Sequence, residues 1–362
     1  MSSVWANNLK ISIFGESHGP YIGAVIDNLP SGEKINIDEI NFQMQKRAPG
    51  KNAFSTKRSE ADCPEIISGI FNSYTTGAPI CAIIKNQNAN SSNYEELKFI
   101  PRPGTADYTA FKKYNGYNDF RGGGHLSGRL TAPLVFCGSI CQQILKERGI
   151  FIAAHIFSVG KIFDIPFPSS VSEDTLINLH SQTELPVLDD KIKEQIKNEI
   201  DFYKSKKDSI GGTIECAITG VKVGIGEPIF FGVENVISSL AFSIPAVKGI
   251  EFGAGFKTSN MSGSENNDQF IVKNGKLQTK TNNHGGILGG ISSGMPIVFR
   301  VAIKPTPSIY IEQNSINLDE KTSTKLKIKG HHDPCIVPRA VPAVEAAASI
   351  AILDLLLGSN KL

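Results

Sequence analysis

Residues 9–14 alternate apolar and polar positions around Ile11 and Ile13, and this period of two predicts a strand. Residues 24–26 supply its partner. Residues 37–47 open on Asp38 and Glu39 and read as a helix. Two short apolar runs, 65–71 and 78–84, flank Asn72-Ser73-Tyr74-Thr75-Thr76-Gly77 and predict a hairpin. A helix follows over 105–113, ahead of Asn115-Gly116. Residues 129–148 form the first long helix, with Pro133 in its first turn and Gly149 past its end. Residues 150–157 are a strand. Residues 189–206 are the plainest amphipathic helix, with Ile192, Ile196, Ile200 and Tyr203 on one face. Strands are expected at 212–218, 247–252, 270–272 and 297–303. The last helix covers 340–357, and Gly358 stands where a capping glycine is expected.

Strands and long helices mix without regular alternation. That excludes a doubly wound parallel sheet and predicts an α+β fold, taken as one domain over 1–362. The two longest helices are apolar nearly all round, so each must be covered on more than one side, as between two sheets. Gln142 and Gln143 interrupt the apolar run of the first; Pro342, Glu345 and Asp354 interrupt the second. Neither gives the ~20 uninterrupted apolar residues of a membrane span, so both read as core helices. A faint likeness between residues 66–71 and 247–252, each apolar with an internal glycine, suggests two related halves.

The 20% of charged residues and net charge of +2 exclude a basic nucleic-acid coat. No nucleic-acid or membrane partner is expected, and any polyanion must meet locally placed cations. The N-terminus lacks a basic segment followed by an apolar run. With six scattered cysteines and no CxxC pair, the expected location is a reducing cytoplasm.

Chemistry concentrates in five segments. Phe14-Gly15-Glu16-Ser17-His18-Gly19 ends the first strand and offers a hydroxyl and a proton carrier between turn-forming glycines, although a loop histidine is also commonly structural. Lys46-Arg47-Ala48-Pro49-Gly50, continued at Thr56-Lys57-Arg58, gathers cations around a turn; an anion site and a solvated basic loop fit equally well. Arg121-Gly122-Gly123-Gly124-His125-Leu126-Ser127-Gly128-Arg129 leads into a helix and can cradle a phosphate. Residues 282–294 hold five glycines, for close approach to something flat or to another strand, and Lys304-Pro305-Thr306-Pro307-Ser308 follows on a rigid backbone. Gly330-His331-His332-Asp333-Pro334-Cys335 is too compressed for zinc; no metal is expected, and a His–Asp pair for proton transfer fits better. Gly253-Ala-Gly-Phe-Lys-Thr258 has Phe256 where a P-loop needs glycine, and Gly224-Ile-Gly226 lacks the third glycine of a dinucleotide turn.

In this order the segments resemble chorismate synthases over nearly the whole chain. Thr76-Gly77-Ala78-Pro79-Ile80, Arg102-Pro103-Gly104 and Ala106-Asp107-Tyr108 are further landmarks. The resemblance implies a sandwich with central helices between antiparallel sheets, usually a homotetramer. It implies a carbon–oxygen lyase of the shikimate pathway that converts 5-enolpyruvylshikimate 3-phosphate into chorismate and phosphate by 1,4-anti elimination. The family needs reduced FMN without net redox change. Carried over by position, His18 protonates the departing phosphate and Asp333 assists proton removal. Ser17, Arg47, Arg129 and Arg339 surround substrate or nucleotide phosphate. FMN contacts fall on His125, Leu126, Ser127, Pro245, Ala246, Gly289, Lys304, Pro305, Thr306, Pro307, Ser308 and His331.

The chain departs from the family pattern at four places. Thr105 replaces a common histidine beside the flavin, and His125 and His331 stand where arginine is common. Ala53 replaces a basic residue tied to nicotinamide-nucleotide contact, so an external flavin reductant is expected. The two histidines either supply the protonic function missing at position 105 or only contact phosphate. An NADPH-using FMN oxidoreductase acting on another substrate is the alternative activity; a non-catalytic flavin-binding protein fits less well with both His18 and Asp333 present.

Overall fold

The computed structural model describes residues 3–50, 61–87, 98–273, 275–328 and 332–359. Ala53, the Thr56-Lys57-Arg58 run, Gly330 and His331 lie outside them. The first sheet contains β1 (Val4–Ala6), β2 (Lys10–Gly15), β3 (Tyr21–Asp27), β4 (Pro64–Ser68) and, beyond a small hairpin of β5 (Ile70–Phe71) and β6 (Tyr74–Thr75), β7 (Ile80–Lys85). Its order is β1-β2-β3-β7-β4, all antiparallel. The expected hairpin is therefore the β4–β7 pair with a second hairpin set into its turn. The chain leaves β4 at Gly69 (φ 86°), where a Cβ would lie 2.6 Å from the Ile80 Cα.

The second sheet contains β8 (Phe151–Val159), β9 (Ile162–Phe163), β10 (Gly212–Thr219) and β11 (Val247–Phe252). Two hairpins follow, β12 (Phe270–Lys273) with β13 (Lys276–Thr279) and β14 (Ile287–Leu288) with β15 (Ile291–Ser292). The sheet is completed by β16 (Ile297–Ile303), in the order β11-β16-β10-β8-β9. A last hairpin pairs β17 (Gln313–Asn317) with β18 (Thr322–Leu326).

The helices are α1 (Ile37–Arg47), α2 (Asp107–Lys113), α3 (Thr131–Lys146), α4 (Glu173–Ser181), α5 (Lys193–Ser205), α6 (Val233–Ala241), the single turn α7 (Gly263–Asn266) and α8 (Val337–Gly358). α1 begins where the sequence places it, with Asn36 accepting a bond from the Asp38 N–H. α3 starts two residues later than expected because Gly128–Leu130 form a 3-10 turn, with Ser127 accepting from the Arg129 N–H. α4 and α6 were not expected. α8 ends in right-handed geometry at Ser359, so Gly358 is not a left-handed cap. It packs closely on the Asn8 side chain, where a Cβ would lie 2.5 Å from Nδ2.

α3 packs on the first sheet, α8 on the second, and the two helices pack on each other. They cross where Gly138 meets Ala346; a Cβ on Gly138 would lie 2.2 Å from the Ala346 Cβ. Both are buried along nearly their whole length, as their all-round apolar character requires. Each buried Leu or Ile contributes roughly 1.5–3 kcal/mol relative to exposure.

The two sheets repeat one plan. β2, β3, β4 and β7 stand in the order first-second-fourth-third, and so do β8, β10, β11 and β16. A helix separates the second and third strands of each set (α1, α6), and a long core helix ends it (α3, α8). The third strand shifts register against the fourth in both, between Ile66 and Ser68 and between Val247 and Gly249. The faint sequence likeness falls on these two equivalent strands.

Candidate active site

The ends of both halves meet around a cavity of about 1450 Å³. Ser17 and His18 reach it from the turn after β2, Arg47 from the end of α1, and Arg129 from the turn before α3. Asp333 and Arg339 reach it from the start of α8. His125, Leu126, Ser127, Pro245, Ala246, Lys304, Thr306, Pro307 and Ser308 complete much of the remaining wall, with Thr105.

Backbone bonds join these segments. The Ser17 N–H donates to the Gly124 carbonyl at 3.1 Å. His125 Nδ1 donates to the Gly15 carbonyl at 2.7 Å, and its Nε2 is 2.6 Å from Ser3 Oγ. Gly122 lies against the His18 ring; a Cβ there would sit 2.5 Å from the ring carbon Cδ2. The triple glycine thus lets the backbone close over a buried imidazole. Arg121 is turned away, held by Asp119 at 2.8 and 2.9 Å, and does not line the cavity.

The cations form a buried group. Arg47 and Arg129 both pair with Asp62, and Arg339 pairs with Asp333. Arg339 Nε also donates to the Arg47 carbonyl at 3.2 Å. Three arginines face two aspartates, so a positive surplus remains, and Lys304 adds to it. Burial pushes the Asp62 carboxyl up, but Arg47 and Arg129 outweigh this and hold it below the usual carboxylate range. Burial, with Arg339 nearby, lowers the affinity of Arg47 for its proton despite Asp62.

The opposite wall is suited to a flat, partly apolar ligand. Leu126 is exposed into the site, and Ala246 holds φ 76°, a left-handed value unusual outside glycine. Its carbonyl accepts the Lys304 N–H at 3.0 Å. Ser209 Oγ donates to the Thr306 carbonyl at 2.6 Å and holds that segment. Thr306 Oγ1 is buried without a hydrogen-bond partner among the described residues. An orphaned hydroxyl on a cavity wall fits a bound polar group.

Thr105 lines the cavity, but its hydroxyl is bonded to the backbone at the start of α2. Its hydroxyl donates to the Arg102 carbonyl at 2.9 Å and accepts the Asp107 N–H at 3.2 Å. Two expected contacts stand outside the cavity lining. Pro305 packs against Gly211, and Gly289 sits in the β14–β15 turn, next to Gly290, which packs on Gly232. Sequence reasoning missed Asp62 and Asn86; Arg102 and His332, which stood in named segments without an assigned role, line the cavity. Asp62 and Asn86 carry no motif of their own, and only the folded chain brings them to the arginines.

The sequence model described as chorismate synthase matches residues 9–357. A chorismate synthase from Dehalococcoides mccartyi is 46% identical over 358 residues, covering 99% of this chain and 97% of that one. One from Thermococcus gammatolerans is 43% identical over 359 residues, covering 96% of each. A crystal structure of a chorismate synthase superposes with a TM-score of 0.77 at 28% identity, covering 98% of this chain and 93% of the other. These matches run through every segment that builds the cavity, and the chain belongs to the chorismate synthase family.

Proposed function

We propose that the cavity binds reduced FMN and 5-enolpyruvylshikimate 3-phosphate and catalyses 1,4-anti elimination of phosphate to give chorismate. The observation that carries this reading is the positive surplus of Arg47, Arg129, Arg339 and Lys304 beside buried His18. The substrate bears a phosphate and two carboxylates, and each charge-assisted hydrogen bond contributes roughly 1.5–3 kcal/mol. His18 protonates the phosphate as its bond to the ring carbon breaks. Asp333, paired with Arg339, takes part in removing the proton from the ring carbon 1,4-related to the one that loses phosphate, across the intervening double bond. Leu126, Ala246, Lys304, Thr306, Pro307 and Ser308 would hold the flavin, with the Thr306 hydroxyl as a partner for one of its polar atoms. Reduced flavin supplies reversible electron donation, which the poorly acidic substrate C–H otherwise lacks.

The proposed assembly is a homotetramer in the cytoplasm. Ile229, Phe230, Phe231, Phe256, Phe270 and Leu277 support self-association, because all are exposed. The proposed source of reduced FMN is an external reductant, since Ala53 departs from the family pattern and no dinucleotide fingerprint is present. Robust aerobic turnover with only NADPH and oxidised FMN would contradict that part. The central test is anaerobic. Protein, reduced FMN and the enolpyruvyl substrate are expected to raise chorismate absorbance and release phosphate with no net flavin oxidation. Phosphate release that consumes flavin mole for mole, or no release, rejects the reading.

A further inference from the structure

Asp62 belongs to none of the five chemical segments, yet it stands at the centre of the cationic group. Its side chain is fully buried, and its two oxygens are divided between Nη1 of Arg47 and Nη1 of Arg129. Each guanidinium has a second anchor at Nε. Thr131 Oγ1 accepts from Arg47 at 3.1 Å, and Asn86 Oδ1 accepts from Arg129 at 2.9 Å. Two anchors on one planar group fix its plane as well as its place. Asn86 also donates to the carbonyls of Glu16 and Gly19, at 3.0 and 2.7 Å. These carbonyls flank the Ser17-His18 pair, so one chain of bonds runs from Asp62 through Arg129 and Asn86 to the proposed acid. Asp62 holds φ 46°, a conformation that costs of order 1–3 kcal/mol outside glycine and persists where its surroundings over-determine it.

We infer that Asp62 is a positioning residue: it holds Arg47 and Arg129 as one doubly anchored cationic pair that receives an oxyanion of the substrate. The inference rests on the substrate reading proposed above. Charge alone gives the opposite expectation. Removing the carboxylate leaves the arginines more cationic and tightens anion binding if Asp62 only competes with the ligand. If Asp62 positions them, its loss lets two like charges separate and weakens binding.

Asp62→Asn decides between the two by sign. The readouts are calorimetric titration with inorganic phosphate and steady-state kinetics with the phosphorylated substrate. Positioning requires a phosphate Kd and a KM raised about tenfold or more, with kcat within about threefold of the parent. Asp62→Glu keeps the charge and moves the carboxylate, and must also weaken binding. Tighter binding in Asp62→Asn, a Kd and KM within about twofold of the parent, or a parent that binds no inorganic phosphate at millimolar concentration overturns the inference. A stability loss alone, with KM unmoved, makes Asp62 structural and also overturns it. If Asp62→Asn does not fold, Thr131→Val and Asn86→Ala remove the Nε anchors without changing charge. Both must raise the phosphate Kd, and no change in either rejects the inference. The titration needs no turnover, so a parent inert toward the enolpyruvyl substrate rejects the proposed function without deciding the role of Asp62.

Discussion

Two groups of buried charge differ in what surrounds them. One is the arginine group at the cavity. The other crosses the second sheet, where His155, Glu215, Arg300 and Glu251 are direct neighbours on β8, β10, β16 and β11. In this second group every carboxylate oxygen of Asp164 and Glu215 has a donor. Asp164 receives His155 Nδ1 at 2.9 Å and the N–H groups of Ile165, Leu188 and Asp189. Glu215 receives His155 Nε2 at 3.0 Å, the Phe167 N–H at 2.7 Å and Arg300. Three acids face two bases, so this group has no cationic surplus, and none of its members lines the cavity. Buried charge by itself therefore does not mark a site. A surplus of one sign at the wall of a cavity does.

The largest effect expected is on activity at the open group. His18→Ala should lower turnover by about two to four orders of magnitude, the usual scale for a general acid. Its thermal unfolding should move little, because Gly122 and the Ser17 backbone bond still shape the turn. Turnover within about threefold of the parent across pH would show that His18 is not the acid.

The closed group should show the reverse. Glu215→Gln leaves His155 and Arg300 without their shared carboxylate and should destabilise the fold by roughly 3–5 kcal/mol, the scale for breaking a buried pair. Activity per folded molecule should stay within about twofold. Urea unfolding and activity on the same samples separate the outcomes, and a large loss of activity in the folded fraction would erase the contrast.

A smaller effect follows from pH. Burial pulls the His155 pKa down, but hydrogen bonds to Asp164 and Glu215 outweigh it and raise it above the ordinary value. A raised histidine gives stability that is fully present below the unfolded pKa, about 6.5, and lost as pH rises through the folded pKa. Asp62 and Asp164 are lowered instead, so their contribution is present above about 3.8 and lost as pH falls through their folded values. His180, half-buried beside Gln43, is lowered by desolvation and works against His155. Comparing the parent with His155→Gln cancels it. The stability difference between those two proteins should be greatest below pH 6.5 and shrink above it; a difference that grows with pH contradicts the closed-group picture.

Much of the frame was legible in the sequence because its signals are local. The acids at the start of residues 37–47 and the apolar run at 247–252 gave α1 and β11 their observed limits. α6 carries the helical spacing Val233, Val236, Ile237, Leu240 and Ala241, and α4 opens on Ser172 with two acids, so both signals were present and unread. The site segments were legible through resemblance, and most meet at the cavity. Asp62 was not legible. An aspartate beside alanine and cysteine says nothing until folding brings two arginines 15 and 67 residues away to its oxygens. Gly358 shows the converse, a familiar signal at a position that instead packs closely against Asn8.

The smallest effect concerns the departures at Thr105 and His125. The idea that His125 supplies a protonic function missing at position 105 requires a ring nitrogen available to the ligand. Nδ1 is bonded to the Gly15 carbonyl and Nε2 to Ser3 Oγ, which tie two segments together. The Thr105 hydroxyl is likewise spent on Arg102 and Asp107. Both residues therefore act as structural hooks, with no shared partner. His125→Arg should reduce activity modestly by releasing the Gly15 turn. The reduction should be equal, within about twofold, in the parent and in Thr105→His, as expected for independent sites. A His125→Arg effect that is severe in the parent and nearly absent in the Thr105→His background would show that the two positions share one proton, and that the hydrogen bonds of His125 yield to the ligand.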